Sequence, residues 1–200
     1  MIKAVLFDYS GVFTSFPFLS LEPDLLKLFW GDYGDVEANH AWHRLERGEI
    51  SLGEFWSDLT ERCRAERGDD FDPQLFINSL RDGFAVHFVL VHRARQLKER
   101  YTLALLTNNV REFGDGWRQT IPVDELFDVV VDSCEVGARK PEPRYFRLAL
   151  ERIGIEPEEA VFLDDMESNV AGARAVGIRG IHVTSPDQAI AELERALRDE

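Results

Sequence analysis

The chain has 200 residues, 44% of them hydrophobic and 30% charged, with a formal net charge of −14. That length supports one well-buried domain carrying a sizeable insertion. The acidic balance disfavours nucleic acid and anionic membranes as partners, since both reward basic patches. It leaves room for a small phosphorylated metabolite, because a bound dication and a few local donors can make a positive site inside an acidic protein. No apolar run approaches the ~20 residues of a membrane helix. The N-terminus enters an apolar segment with no charged leader or cleavage site, so no secretory signal is expected. Cys63 and Cys134 fit no metal or redox spacing. They read as reduced thiols, which suits a cytoplasmic protein.

The first element is Ile2–Phe7 (I-K-A-V-L-F), a short apolar run read as a buried strand. Asp8, Tyr9, Ser10 and Gly11 follow it directly. Residues 14 to 85 show no convincing strand and hold three of the four tryptophans. Here helices are expected from Pro23, over Asp35–Arg47 with Gly48 as stop, over Leu52–Arg64, and from Asp72-Pro73 to about Leu80. Ser51-Leu52-Gly53-Glu54 has the spacing of a capping box, in which each end satisfies a free N–H of the other. Beyond this stretch a regular alternation sets in. Strands are expected at Thr102–Leu106, Phe127–Val131, Ala160–Leu163 and Arg179–Val183. Helices are expected at His87–Arg100, Arg144–Ile153 (closed by Gly154), Asn169–Val176 (closed by Gly177) and Pro186–Arg198. Such an alternation predicts an α/β fold, a Rossmann-like parallel sheet flanked by helices, with an inserted α-helical cap. The expected division is a core of residues 1–14 and 86–200 and a cap of 15–85, with hinges near Ser15 and Asp82-Gly83.

Four chemically distinctive groups lie at or near predicted strand ends: Asp8, then Thr107-Asn108-Asn109, then Lys140, then Asp164-Asp165. In a parallel sheet the carboxyl ends of strands face one crevice, so these groups should meet. Each has a plainer reading alone: Asp8 as a cap or turn former, Thr107-Asn108-Asn109 as a turn, Lys140 as a solvated loop lysine, Asp164-Asp165 as a helix cap. Together, three acids and one lysine suit a Mg²⁺-assisted phosphoryl transfer. Mg²⁺ takes oxygen ligands, Asp8 can attack phosphorus, Thr107 and Asn108 can hold phosphate oxygens, and Lys140 offsets the charge.

The stretches V-L-F-D-Y-S-G-V-F, L-A-L-L-T-N-N, G-A-R-K-P-E-P-R-Y-F and A-V-F-L-D-D-M-E-S-N-V-A-G-A-R-A-V-G-I resemble the four motifs of the haloacid dehalogenase-like hydrolases. The nearest subgroup resembles the N-terminal phosphatase domain of soluble epoxide hydrolase, whose helical cap lies between the first two motifs. The resemblance implies a Mg²⁺-dependent hydrolase acting on a small phosphate-type ester through an aspartyl-phosphate. It makes Asp8 nucleophile and metal ligand, and gives phosphate to Thr107, Asn108 and Lys140. The metal falls to Asp8, the Ser10 backbone carbonyl, Asp164 and Asp165, with Asp165 favoured as the direct ligand. Asn169 should brace the loop.

Ser10 departs from the family pattern, which has an aspartate there to protonate the leaving alkoxide and later to activate water. Slow turnover of alkyl phosphates is expected. The alternatives are a non-catalytic or regulatory ligand-binding relative and dehalogenase- or phosphonatase-type chemistry; Asp164-Asp165 argues against the metal-free dehalogenases. Phe13, Phe16, Phe18, Trp30, Trp42 and Trp56 could line a pocket, though aromatics at helical spacing more often form a core. His40 and His43 share a helix face but lack a third ligand. Arg44 and Arg47 are candidate substrate-anion contacts, Trp117 a candidate border of the crevice, and Asp69-Asp70 and the acidic C-terminus solvated charge.

Overall fold

The computed structural model describes residues 1–15, 23–31, 40–68 and 85–198. The expected helix from Asp72 to Leu80, part of the one over Asp35–Arg47, the Asp82-Gly83 hinge, Phe16, Phe18, Asp69-Asp70 and the last two acidic residues lie outside the described residues.

Five strands form one parallel sheet: β1 (Ala4–Phe7), β2 (Thr102–Thr107), β3 (Val129–Asp132), β4 (Ala160–Asp164) and β5 (Arg179–His182). Their order is β3-β2-β1-β4-β5, so the chain reverses direction across the sheet at β1. Phe7 stands opposite Leu105 of β2 and Leu163 of β4. This register brings Asp8, Asp164 and Thr107 to nearly the same level at one edge.

The helices are α1 (Pro23–Trp30), α2 (Ala41–Glu46), α3 (Leu52–Arg67), α4 (Phe88–Leu97), α5 (Val123–Leu126), α6 (Ser133–Val136), α7 (Pro143–Ile153), α8 (Glu167–Ala175) and α9 (Pro186–Arg198). Residue alternation along the strands feeds two cores. On one face Val5, Phe7, Leu103, Leu105, Val161 and Leu163 pack against α4 and α9. On the other, Ala4, Leu6, Ala104, Leu106 and Phe162 pack against Tyr145, Phe146 and Ala149 of α7 and Ala173 of α8. A third cluster joins Leu28, Phe29, Trp42, Leu45, Phe55, Leu59 and Cys63 from α1, α2 and α3. Both cysteines are free and buried. No helix among the described residues is long and apolar enough to cross a membrane.

The chain leaves the sheet region at Thr14 and returns at Val86, and these residues form an antiparallel bridge. The Ser15 N–H donates to the Ala85 carbonyl at 2.8 Å, and the Ala85 N–H donates to Ser15 Oγ at 2.8 Å.

Some element ends differ from expectation. The third strand begins at Val129 rather than Phe127. Phe127 instead closes α5 and packs its ring against Phe7 and Phe13 at 6.2 and 5.6 Å. The short α5 and α6 and a 3₁₀ segment over Arg111–Gln119 were not expected. α5 and α6 are one turn each, and the 3₁₀ segment is broken at Gly114 (φ 57), so none carries a readable period.

Candidate active site

Asp8 directly follows β1, and its Oδ1 accepts the Tyr9 N–H at 2.7 Å. The turn that follows depends on Gly11, whose φ is +79. A Cβ at Gly11 would lie 2.1 Å from Asp165 Cγ, so the Asp165 carboxylate occupies the space a side chain would need. The loops after β1 and β4 therefore interlock.

Lys140 reaches in from the loop before α7. Its Nζ lies 2.6 Å from Asp8 Oδ1 and 2.7 Å from Asp164 Oδ2. All three side chains are buried. Asp164 is held further by the Met166 N–H (2.8 Å) and by Asn169 Nδ2 (3.0 and 3.1 Å). Asn169 thus braces the β4 loop from the first turns of α8. The Asp165 carbonyl accepts from His182 Nε2 at 2.9 Å, while His182 Nδ1 lies 3.3 Å from Glu167.

Thr107 ends β2 and is buried. The Asn108 side chain is committed to the Lys140 loop: Lys140 N–H donates to its Oδ1 at 2.9 Å, and its Nδ2 donates to the Lys140 carbonyl at 3.0 Å. These two bonds tie the loop after β2 to the Lys140 loop and leave the Asn108 backbone N–H as the expected phosphate donor. Asn109 Nδ2 donates to Asp132 at 2.8 Å, which fixes the β2 loop to the end of β3.

Asp8, Asp164 and Asp165 place one carboxylate oxygen each within 4.8 Å of the others. Burial raises the Asp8 carboxyl well above its ordinary range; Lys140 works against the rise, and Asp164 and Asp165 add to it. Burial and the Asp164 charge push Asp165 up to about 7. Burial works to lower Lys140, but Asp164 and Asp8 outweigh it and hold the ammonium above its usual value. Three crowded carboxylates against one ammonium favour a bound proton, or a hard dication in its place. The donor set, all oxygen, fits Mg²⁺.

Of the other candidates, Phe13 lies in the sheet core, and Trp42 packs on Phe29 with centroids 4.6 Å apart. Trp30 and Trp56 pack against the same helical cluster. Tyr9 donates through its hydroxyl to the Trp117 carbonyl at 3.1 Å, with the rings edge to face at 5.1 Å. His40 and His43 have rings 5.7 Å apart, but His40 Nδ1 is used as the N-cap of α2, accepting the Trp42 N–H at 3.1 Å. Arg47 is paired with Glu49 at 2.6 Å and Glu142 at 3.0 Å rather than open to a substrate. Arg44 lies 3.8 Å from Glu49. Sequence reasoning passed over Arg139, which is fully buried and paired with Glu46 at 2.5 Å. Its place beside Lys140 was visible, but nothing in the sequence singled out Glu46. It also passed over His182, one strand away from the acid pair.

The model of the haloacid dehalogenase-like hydrolases matches residues 2–177. Acyl-CoA dehydrogenase family member 10 of Mus musculus is 32% identical over 98% of this chain, which spans 19% of that protein. Bifunctional epoxide hydrolase 2 of Rattus norvegicus is 27% identical over 76% of this chain, a match spanning 30% of its length. The chain thus spans a third or less of these two relatives. A phosphatase of Mycobacterium tuberculosis is 28% identical over 94% of this chain and 89% of its own. Among solved structures, an enzyme of the same family from Bacteroides thetaiotaomicron, in complex with magnesium and inorganic phosphate, superposes with a TM-score of 0.65 at 23% identity, over 91% of this chain and 94% of its own. With the family model covering both the Asp8 loop and the acid pair, the chain belongs to the haloacid dehalogenase-like hydrolases and is similar to bifunctional epoxide hydrolase 2.

Proposed function

We propose that the protein is a Mg²⁺-dependent hydrolase of small phosphate-type esters working through an aspartyl-phosphate at Asp8. The observation that carries this reading is the Lys140 ammonium, 2.6 Å from Asp8 and 2.7 Å from Asp164, both buried, in a cluster that the half-buried Asp165 completes. An Asp8 oxygen attacks phosphorus, the bond to the leaving oxygen breaks, and phosphate is carried on the carboxylate. Water then releases inorganic phosphate and restores Asp8. Lys140 orients Asp8 and offsets charge on the phosphoryl oxygens. Thr107 and the backbone at Asn108 face the phosphate. Asp8, the Ser10 carbonyl and Asp165 are the residues that would hold Mg²⁺, which supplies neutralisation of the nucleophile and the incoming dianion. Asp164 is assigned to Lys140 and the loop instead, because Lys140, Met166 and Asn169 already claim its oxygens.

Residues 1–14 and 86–200 are the core of this reading, and 15–85 a cap over the crevice. The phosphatase name of the Mycobacterium tuberculosis relative supports a small phosphorylated metabolite as substrate. Two buried free thiols suit a cytoplasmic setting. With serine at position 10, no carboxyl stands there to protonate the leaving group. Acyl and aryl phosphates, whose leaving groups depart without a proton, are the favoured substrates.

An aryl phosphate assay with and without Mg²⁺ tests the proposal. Turnover should require the metal and fall by at least ~10³-fold in Asp8→Asn, a loss in the range seen when a nucleophile is removed. Turnover of a haloacid without metal would replace it by dehalogenase chemistry. Ser10 favours a second reading, a ligand-binding relative without turnover. It predicts Mg²⁺ binding with silence in both assays.

A further inference from the structure

We propose that the C-terminal end of α2 is a positioning element for Lys140, acting through the buried Glu46–Arg139 pair. Three consecutive residues there hold α6 and the loop between α6 and α7. Glu46 Oε2 lies 2.5 Å from Arg139 Nε, with both side chains buried. Arg47 Nη1 lies 3.0 Å from Glu142. Gly48, at φ +69, comes so close to α6 that a Cβ would lie 2.7 Å from the Cys134 carbonyl oxygen. From its other side the Lys140 loop is held by the paired hydrogen bonds to Asn108 and by α8. A Cβ at Gly172 of that helix would lie 2.5 Å from the Pro141 carbonyl oxygen. Lys140 is therefore clamped between the sheet and a helix from residues 15–85.

The physical reason is the guanidinium of Arg139. It keeps its charge at any ordinary pH. Buried without a carboxylate it must move toward water, because an uncompensated buried charge is strongly unfavourable. Moving residue 139 moves residue 140, whose ammonium bridges Asp8 and Asp164. The site is then fully formed only while α2 is docked. Neither Glu46 nor Arg139 touches the reacting atoms; both act through Lys140.

Two measurements on the full chain test this. The first is hydrogen exchange without substrate or metal, which does not depend on the phosphatase reading. In Glu46→Gln the Lys140 amide, now bonded to Asn108, should exchange at least tenfold faster, with β4 unchanged. The second rests on the phosphatase reading: kcat on an aryl phosphate should fall by ~10²-fold, the scale of a 1 Å misplacement, with KM and the Mg²⁺ activation constant held within about twofold. Glu46→Asp should recover most of the loss. Should Glu46→Gln fail to fold, Arg139→Lys keeps the charge pair and should show both effects in smaller degree. Unchanged exchange over residues 138–142, exchange rising equally in β4, or a change in KM alone would overturn the proposal. An inactive wild-type protein would sink the phosphatase reading and leave the exchange result to decide this one.

Discussion

Ser10 stands two residues from a carboxylate that is already equipped with an ammonium and an acid partner. On the proposed reading, proton transfer is the piece it lacks, and general acid–base catalysis is typically worth ~10²–10⁴-fold. Ser10→Asp should raise kcat on alkyl phosphates by an amount in that range, measured by phosphate release; an unchanged rate would show that another group moves the proton. Asp165 supplies a second prediction. Its carboxyl is raised to about 7 from an ordinary 3.8, so the metal-free folded state holds a proton between roughly pH 4 and 7 that the unfolded state has lost. That contribution to stability is present at low pH and is lost as pH rises through 7. On the proposed reading Mg²⁺ displaces this proton, so its affinity should climb with pH through 7 by about tenfold per pH unit for each proton displaced. Calorimetric titration across that range checks it, and a pH-independent affinity would remove Asp165 from the metal site. At this scale the sequence showed what strand ends display. Asp8 and the acid pair were legible because the register of β1 and β4 brings them together, and Lys140 because it follows β3 in the same order of motifs. The commitment of Asn108 to Lys140, the burial of Arg139 and the support from His182 were not, because they depend on how separate loops pack.

The capping box of α3 was legible as well: Ser51 Oγ accepts the Glu54 N–H at 3.2 Å, and the Ser51 N–H donates to Glu54 at 2.8 Å. The cap of α2 was not, because histidine is a rare N-cap and only the accepting Nδ1 makes it one. Burial first, then the Arg62 charge, lowers His40 to about 4. The folded state keeps His40 neutral while the unfolded chain protonates near 6.5, so stability falls as pH drops from about 6.5 to about 4. His40→Asn keeps an acceptor without a titrating group. Its melting temperature should therefore fall less steeply than that of the wild type over this window. Parallel slopes would show that His40 does not govern the acid sensitivity of α2. The one-turn α5 and α6 lie below the length at which pattern reveals a helix, yet α6 carries the Cys134 carbonyl that meets Gly48.

The described residues form three apolar clusters, and the third is separate in composition. Apart from Val110 it draws on α1, α2, α3 and the residues beside them. Phe29 is its centre, with Trp42 at 4.6 Å and Phe55 at 5.2 Å. Phe29→Ala should destabilise this cluster by ~3–5 kcal/mol, seen as faster amide exchange in α1–α3 while β1 and β4 keep their protection. Equal loss in the sheet would show that the clusters unfold together. The alternation of strands and helices after residue 86 made the sheet legible, since each period changes from about 2 to about 3.6 residues. The helical stretch was legible in kind only, because its aromatics suit a core and a pocket equally until the contacts are known.

The bridge between Thr14 and Val86 has an architectural consequence. The chain departs and returns through adjacent, hydrogen-bonded positions, so residues 16–84 could be excised and the ends rejoined by a short turn without rethreading the sheet. A different segment could be grafted there on the same terms. Arg139 sets the condition on such surgery. With Glu46 gone its guanidinium would lose the carboxylate at 2.5 Å, so a trimmed chain is better made with Arg139→Met in the same step, or with a graft that brings its own carboxylate to that point.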